Sequence, residues 1–182
     1  MISLKEAKSI VQKRISILGA RKMDIEYLEG MTLRENIIAT FPSPRFDNSA
    51  MDGFAVRAID IKKATYENPI KLKVQGISFA GVPSDIVIGP GECIQCMTGS
   101  EIPRGADSIV MVENTSGFSD NDFVKFMTPV SKGAHIRKKG EEISKGDLLI
   151  KKGTRVTANE LGTIATFGYL SLIHISEPTR PY

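Results

Sequence analysis

Pro44-Arg45-Phe46-Asp47-Asn48-Ser49-Ala50-Met51-Asp52-Gly53-Phe54-Ala55-Val56-Arg57 is the stretch on which the reading of this chain turns. Its six residues from Asp47 to Asp52 hold two carboxylates, an amide and a hydroxyl, too polar for a core strand. An apolar, strand-like run follows at once. Polar side chains at this density, between a proline-bounded approach and a strand, mark a positioned loop.

The pattern downstream of the loop is β. Ile70-Lys71-Leu72-Lys73-Val74 alternates strictly, and Glu92 to Met97, Ser108 to Glu113 and Phe123 to Phe126 read as strands. Gly81-Val82-Pro83, Gly89-Pro90-Gly91 and Ser119-Asp120-Asn121-Asp122 punctuate them as turns. Short strands at this spacing predict a compact, barrel-like or sandwich-like β unit, with Arg57 to Ala64 as one or two helical turns.

Upstream, Ser3 with Glu6 gives a capping box. Leu4, Ala7, Ile10, Val11, Ile15 and Leu18 recur at helical spacing, with Gly19 as the stop. Asp24 to Leu28 reads as a short strand or extended piece. Thr32 with Glu35 repeats the capping box, which predicts a short helix over Leu33 to Ala39. Pro42 and Pro44 then extend the chain into the loop. Toward the other end, Gly146 to Val156 reads as two extended pieces, preceded by a strand at Ile143. Thr157 with Glu160 caps a helix over Ala158 to Thr166, closed by Gly168.

Composition bounds the function. With 41% hydrophobic and 25% charged residues, the chain is a globular protein and not a disordered tail. No apolar run reaches membrane-span length and the start lacks a signal pattern, so no membrane is expected and the cytoplasm is the default. A net charge of +3 without tryptophan gives no footprint for nucleic acid. Lys132, Arg137, Lys138, Lys139, Lys145, Lys151 and Lys152 are interleaved with Glu141, Glu142 and Asp147, which reads as a solvated face. Cys93 and Cys96 form a C-x-x-C, but no second pair completes a zinc site. On a strand, residues three apart face opposite ways, so both cysteines read as structural. His135 reads as a surface loop histidine.

The loop also resembles the N-terminal region of the MoeA/gephyrin-type molybdopterin molybdenumtransferases, which insert molybdate into molybdopterin. Four further segments carry the resemblance in the same order. They are Gly76-Ile77-Ser78-Phe79-Ala80-Gly81, Met97 to Asp107 (similar to the family's "MTGA-xP-x-GAD"), Ile136 to Ile143, and Gly153 to Leu161. The resemblance covers nearly everything from Gly30 to Tyr169. It implies an α+β, mostly β fold, in which a compact β-barrel-like domain is inserted into an elongated α/β region. The expected segments are 1–46 for the N-terminal helices and the first half of that region, 47–135 for the insert, and 136–170 for the second half. Residues 171–182 fit no family segment and read as a non-native tail, which makes the chain a fragment.

The family also implies roles. Asp52 and Thr98 match functional positions and become the catalytic candidates, with Asp52 a candidate ligand for Mg²⁺. Ser49, Ser100, Arg137 and Glu142 become substrate-binding candidates. Asp47, Asn48, Gly53, Gly99 and Gly140 shape the loops. Molybdate and the nucleotide phosphate of molybdopterin-AMP are anionic, so bare carboxylates must hold a cation, orient water or accept hydrogen bonds from ligand hydroxyls and amines. For Asp47 and Asn48, side-chain-to-backbone capping of the turn is the preferred reading. Thr98-Gly99-Ser100 reads equally as an ordinary turn and as a donor set for an oxyanion. Alanine is common in the family at Ser100, which argues against an essential hydroxyl there. The family has asparagine at His135 and an aspartate-type residue at Glu142.

The expected partners are a small pterin substrate and a second copy of the chain. The expected function is molybdenum cofactor biosynthesis by the parent protein, the chain alone being inactive because it lacks the pterin-binding domain. The competing class is a non-catalytic dimerisation or scaffold module.

Overall fold

The structure, a computed structural model, describes residues 2–15, 19–82, 85–118 and 122–175. It divides into two units, one of residues 1–41 with 145–182 and one of residues 42–144. The insert expected at 47–135 lies within the second.

The first unit opens with α1 (Leu4–Arg14), whose capping box joins the Ser3 and Glu6 side chains to each other's backbone N–H. The helix ends at Arg14, short of the expected stop at Gly19, and it has no buried residue. Leu18 lies outside the described residues. β1 (Ala20–Asp24) follows. Ile25–Tyr27 then forms a 3-10 turn where an extended piece was expected.

The helix predicted over Leu33 to Ala39 does not form. The segment instead gives β2 (Thr32–Leu33) and β3 (Ile37–Ile38). Its backbone is captured by distant partners, since Leu33 N–H donates to Thr154 O and Gly153 N–H donates to Leu33 O. Seven residues cannot offset the cost of helix nucleation against such pairing.

The second unit is the polar loop and its sheet. β4 (Asn48–Ser49) and β5 (Gly53–Val56) come first, with a 3-10 turn at Ala58–Ile61 where helical turns were expected. β6 (Ile70–Ser78), β7 (Glu92–Cys96), β8 (Ser108–Met111), β9 (Phe123–Phe126) and β10 (Ile136–Arg137) complete it. Val112–Asn114 turns as a 3-10 helix, so the strand expected to reach Glu113 ends at Met111. Ile143 makes a single bridge to Ser43 and no strand.

Five strands form one curled sheet in the order β8-β5-β7-β6-β9, antiparallel except for the parallel β6–β7 pair. It is apolar on both faces. Phe54, Val56, Cys93, Val110 and Phe126 pack on one side, while Ala55, Ile94, Cys96 and Ile109 pack on the other. Burying one large apolar side chain contributes roughly 1.5–3 kcal/mol, so β5, buried along its whole length, is a fixed floor. The two cysteines face opposite sides as strand alternation requires. Burial pushes the Cys93 thiol up to about 12, helped by the charges of Cys96 and Glu92, and the Cys96 thiol up to about 11. Both thiols are free and buried, the setting of structural cysteines.

The chain then returns to the first unit with β11 (Leu148–Ile150), paired to β3, and α2 (Ala158–Thr166). The Thr157–Glu160 capping box starts α2 as the sequence predicts. The core of this unit is Leu28, Leu33, Ile37, Ile150, Val156 and Ile164. β12 (Ser171–Ile175), part of the segment set aside as a tail, pairs between β1 and β2 in a three-stranded sheet.

Candidate functional site

Strand register builds the site. Gly53 pairs with Cys96 across β5 and β7 and with Met111 across β5 and β8. One residue beyond the Gly53–Cys96 pair, the strand ends bring Asp52 to the segment Met97–Thr98. Only glycine fits beneath it, because a Cβ at position 53 would lie 1.9 Å from Val110 O.

Asp52 and Thr98 meet directly. The Thr98 N–H and hydroxyl both donate to Asp52 Oδ1, each at 2.7 Å. These two bonds, the backbone one foremost, hold the Asp52 carboxyl below its ordinary range. Asp52 is exposed, and its Oδ2 has no partner among the described residues. The carboxylate is thus ionised, oriented through one oxygen and open through the other. Gly99, at φ 82°, turns the chain directly after Thr98 through a conformation that side-chain-bearing residues avoid.

Ser49 and Ser100 do not reach solvent; both are 0% exposed. They tie the two loops together instead, with Ser49 N–H donating to Ser100 O at 2.9 Å and Gly99 N–H donating to Ser49 O at 2.8 Å. The Ser100 hydroxyl is buried, with the Cys96 thiol as its polar neighbour.

The other candidates gather before β4. Arg137 Nε donates to Asn48 Oδ1 at 3.1 Å and Nη1 lies 4.0 Å from Glu142 Oε1. Ser43 Oγ donates to Glu142 Oε2 at 3.2 Å. Asp47 accepts from Lys138 Nζ and from Lys139 N–H, both at 2.8 Å. The Lys138 side chain is the main cause of an Asp47 carboxyl held below its ordinary range. Asn48 Nδ2 also donates to Phe46 O at 3.3 Å, and Gly140 N–H to Pro44 O at 2.9 Å.

Ser43, Lys138 and Lys139 were not singled out by the sequence reading. Lys138 and Lys139 stood in a mixed charge run, and only the pairing of β10 with β4 reveals their target. His135 sits at φ 54°, a left-handed conformation in which asparagine and histidine are enriched. Its carbonyl accepts from Ala50 N–H at 2.9 Å, so it shapes the loop through its main chain.

Beside Asp47 opens a cleft of about 470 Å³, lined also by Asp107, Lys132 and Lys138. Two carboxylates match two ammonium groups there, so it offers no net charge to draw a dianion. Among the described residues, no group of three histidine, cysteine or acidic side chains could hold a metal. In the contact with Thr98, Asp52 keeps one carboxylate oxygen open. A hard cation that keeps most of its waters requires only one or two such ligands, and Asp52 fits that requirement.

Comparisons with known proteins show what the chain is similar to. Residues 2–168 match the family model described as the MoeA N-terminal region, domains I and II. A molybdopterin molybdenumtransferase of Staphylococcus aureus (strain MRSA252) is 37% identical over 178 residues, which cover 98% of this chain and 42% of that protein. The protein of the same name from Bacillus subtilis (strain 168) is 42% identical over 148 residues, covering 80% and 34%. A crystal structure of the molybdopterin biosynthesis MoeA protein from Pyrococcus horikoshii OT3 superposes with a TM-score of 0.88 at 28% identity. That match covers 98% of this chain and 47% of the other. The chain thus spans less than half the length of these relatives.

Proposed function

The chain belongs to the MoeA N-terminal-region family, and from that premise we propose that it supplies one wall of a site that inserts molybdate into adenylated molybdopterin. The observation that carries this reading is the Asp52–Thr98 contact. Residues 46 positions apart present one oriented, exposed and ionised carboxylate oxygen on a rigid sheet end.

The chain's own contribution is positional. Thr98 spends two donors on Oδ1, so Oδ2 is directed at whatever occupies the loop: a water, a ligand hydroxyl or amine, or a cation. Mg²⁺ held there would offset phosphate charge and polarise the phosphorus–oxygen bond being cleaved. Asp52 would be its protein ligand. Thr98 orients Asp52 and keeps it deprotonated. Arg137, part exposed beside Asn48 and Glu142, would offer an oxyanion the guanidinium N–H groups that those contacts leave over.

The rest of the parent's length is proposed to carry the pterin-binding wall, and the reaction is placed in the cytoplasm. Among the described residues no helix is long and apolar enough to cross a membrane. A second reading, self-association, draws on α1. Leu4, Ile10, Val11 and Ile15 are exposed at 73, 47, 55 and 68%, an apolar face that a second copy of the chain would cover.

The test of the main reading is molybdenum insertion by a parent of the relatives' length, assayed with adenylated molybdopterin, molybdate and Mg²⁺. Asp52→Asn is expected to cut turnover on the order of 10²-fold or more, with the protein still folded. Wild-type turnover in that variant would remove Asp52 from the site.

A further inference from the structure

We infer that Ser49 is a positioning residue whose buried hydroxyl aims the Asp52 carboxylate at Thr98, and that it does not touch substrate. The inference rests on the reading of Asp52 given above and adds to it the part that fixes the loop.

Ser49 is fully buried, so no ligand reaches its hydroxyl in this fold. That hydroxyl instead closes a three-residue turn. Oγ donates to Met51 O at 2.5 Å and accepts from Met51 N–H at 3.4 Å. Serine hydroxyls commonly hold turns of this kind by bonding the backbone two residues on.

Each neighbouring residue of the loop has a separate main-chain anchor. Ser49 is bonded to Ser100 and Gly99, Ala50 N–H donates to His135 O, and Asp52 O accepts from Val112 N–H. Met51 is the exception. Its N–H and carbonyl have no partner among the described residues besides Ser49 Oγ, although Met51 directly precedes Asp52. The Ser49 hydroxyl is therefore the restraint on the peptide that sets the direction of the Asp52 side chain. Meanwhile the Ser49 backbone fixes the Thr98–Ser100 turn on the other side of the contact. One residue sets both halves of the Asp52–Thr98 pair.

The experiment is amide hydrogen exchange and proton chemical shift by NMR on the ¹⁵N-labelled chain, in wild type, Ser49→Ala and Ser49→Cys. Losing one hydrogen bond of ordinary strength is expected to speed exchange of the Thr98 amide by about fivefold to tenfold and to move its resonance upfield. Exchange at Ile94 and Val110, in the sheet, is expected to stay as in wild type. Cysteine keeps the volume with a much weaker donor, so it carries the same test should the alanine variant not fold. An unchanged Thr98 amide in a folded variant would overturn the inference. So would an equal acceleration at all amides, which marks a loss of global stability and not of aim. The readout needs no turnover: a parent in which Asp52 proves dispensable would overturn the proposed function and leave these exchange rates as they are.

Discussion

Two polar clusters flank β4, and they are built on opposite principles. After it, Asp52 and Thr98 form a pair without an opposite charge, held by two bonds of 2.7 Å, one of them from the main chain. Before it, Asp47, Arg137, Lys138 and Glu142 are rich in charge. Yet Arg137 and Glu142 stand 4.0 Å apart with side chains 40% and 54% exposed, and Lys138 and Asp47 are 60% and 43% exposed. Exposed ion pairs contribute about 0–1 kcal/mol because water and salt screen them and long side chains lose freedom. Aim at this site therefore comes from short hydrogen bonds of main chain and hydroxyls, and the charges set only the local field.

That contrast can be broken in four ways, from the largest expected effect to the smallest. Gly53→Ala should be the most damaging, since its Cβ would enter the space of Val110 O. Overpacking of a rigid core costs roughly 1–3 kcal/mol or more, and urea denaturation should show a loss of at least about 3 kcal/mol. A stability near wild type would mean the sheet end is pliant.

Thr98→Val removes one of the two donors to Asp52 while keeping shape. Turnover of the parent protein should fall about tenfold to a hundredfold, whereas Glu142→Gln should change it less than about threefold. The reverse order would transfer the chemistry to the charged cluster.

Ser100→Ala should change stability little. The Ser100 hydroxyl is buried with the Cys96 thiol as its polar neighbour, so alanine gives up one weak contact and relieves a poorly satisfied donor. Thermal unfolding should stay within about 1 kcal/mol of wild type, with turnover unchanged; a larger loss would show that the Ser100–Cys96 contact holds the turn.

The smallest effect is the acid response of Asp47. Its folded carboxyl is held below the ordinary 3.8, chiefly by Lys138. Its contribution is therefore complete above the unfolded value and is lost as pH falls through the depressed folded one. At most about 1 kcal/mol is expected after solvent screening. Asp47→Asn should flatten that part of the stability–pH curve; an unaltered curve would show the Lys138 pair to be inert.

How far the sequence could be read followed the range of the interactions involved. The Ser3–Glu6 and Thr157–Glu160 capping boxes are closed within four residues, and both helices start where those pairs place them. Thr32–Glu35 has the same letters, but its backbone is claimed by residues more than a hundred positions away, and nothing local announces that. The opposite facing of Cys93 and Cys96 follows from strand alternation alone. For the site, the loop and its turn were each visible as motifs. Their contact was not, because it depends on the Gly53–Cys96 register. Asp47 as the target of Lys138, and the burial of Ser49 and Ser100, were hidden for the same reason: each is set by which strand lies beside β4.

The most direct test is a double-mutant cycle on turnover of the parent protein, comparing Asp52→Ala, Thr98→Val and the two together. If Thr98 acts through Asp52, the double variant should be no slower than Asp52→Ala alone, since interacting residues are not additive. Losses that simply multiply would contradict the account and make the two residues independent parts of the site.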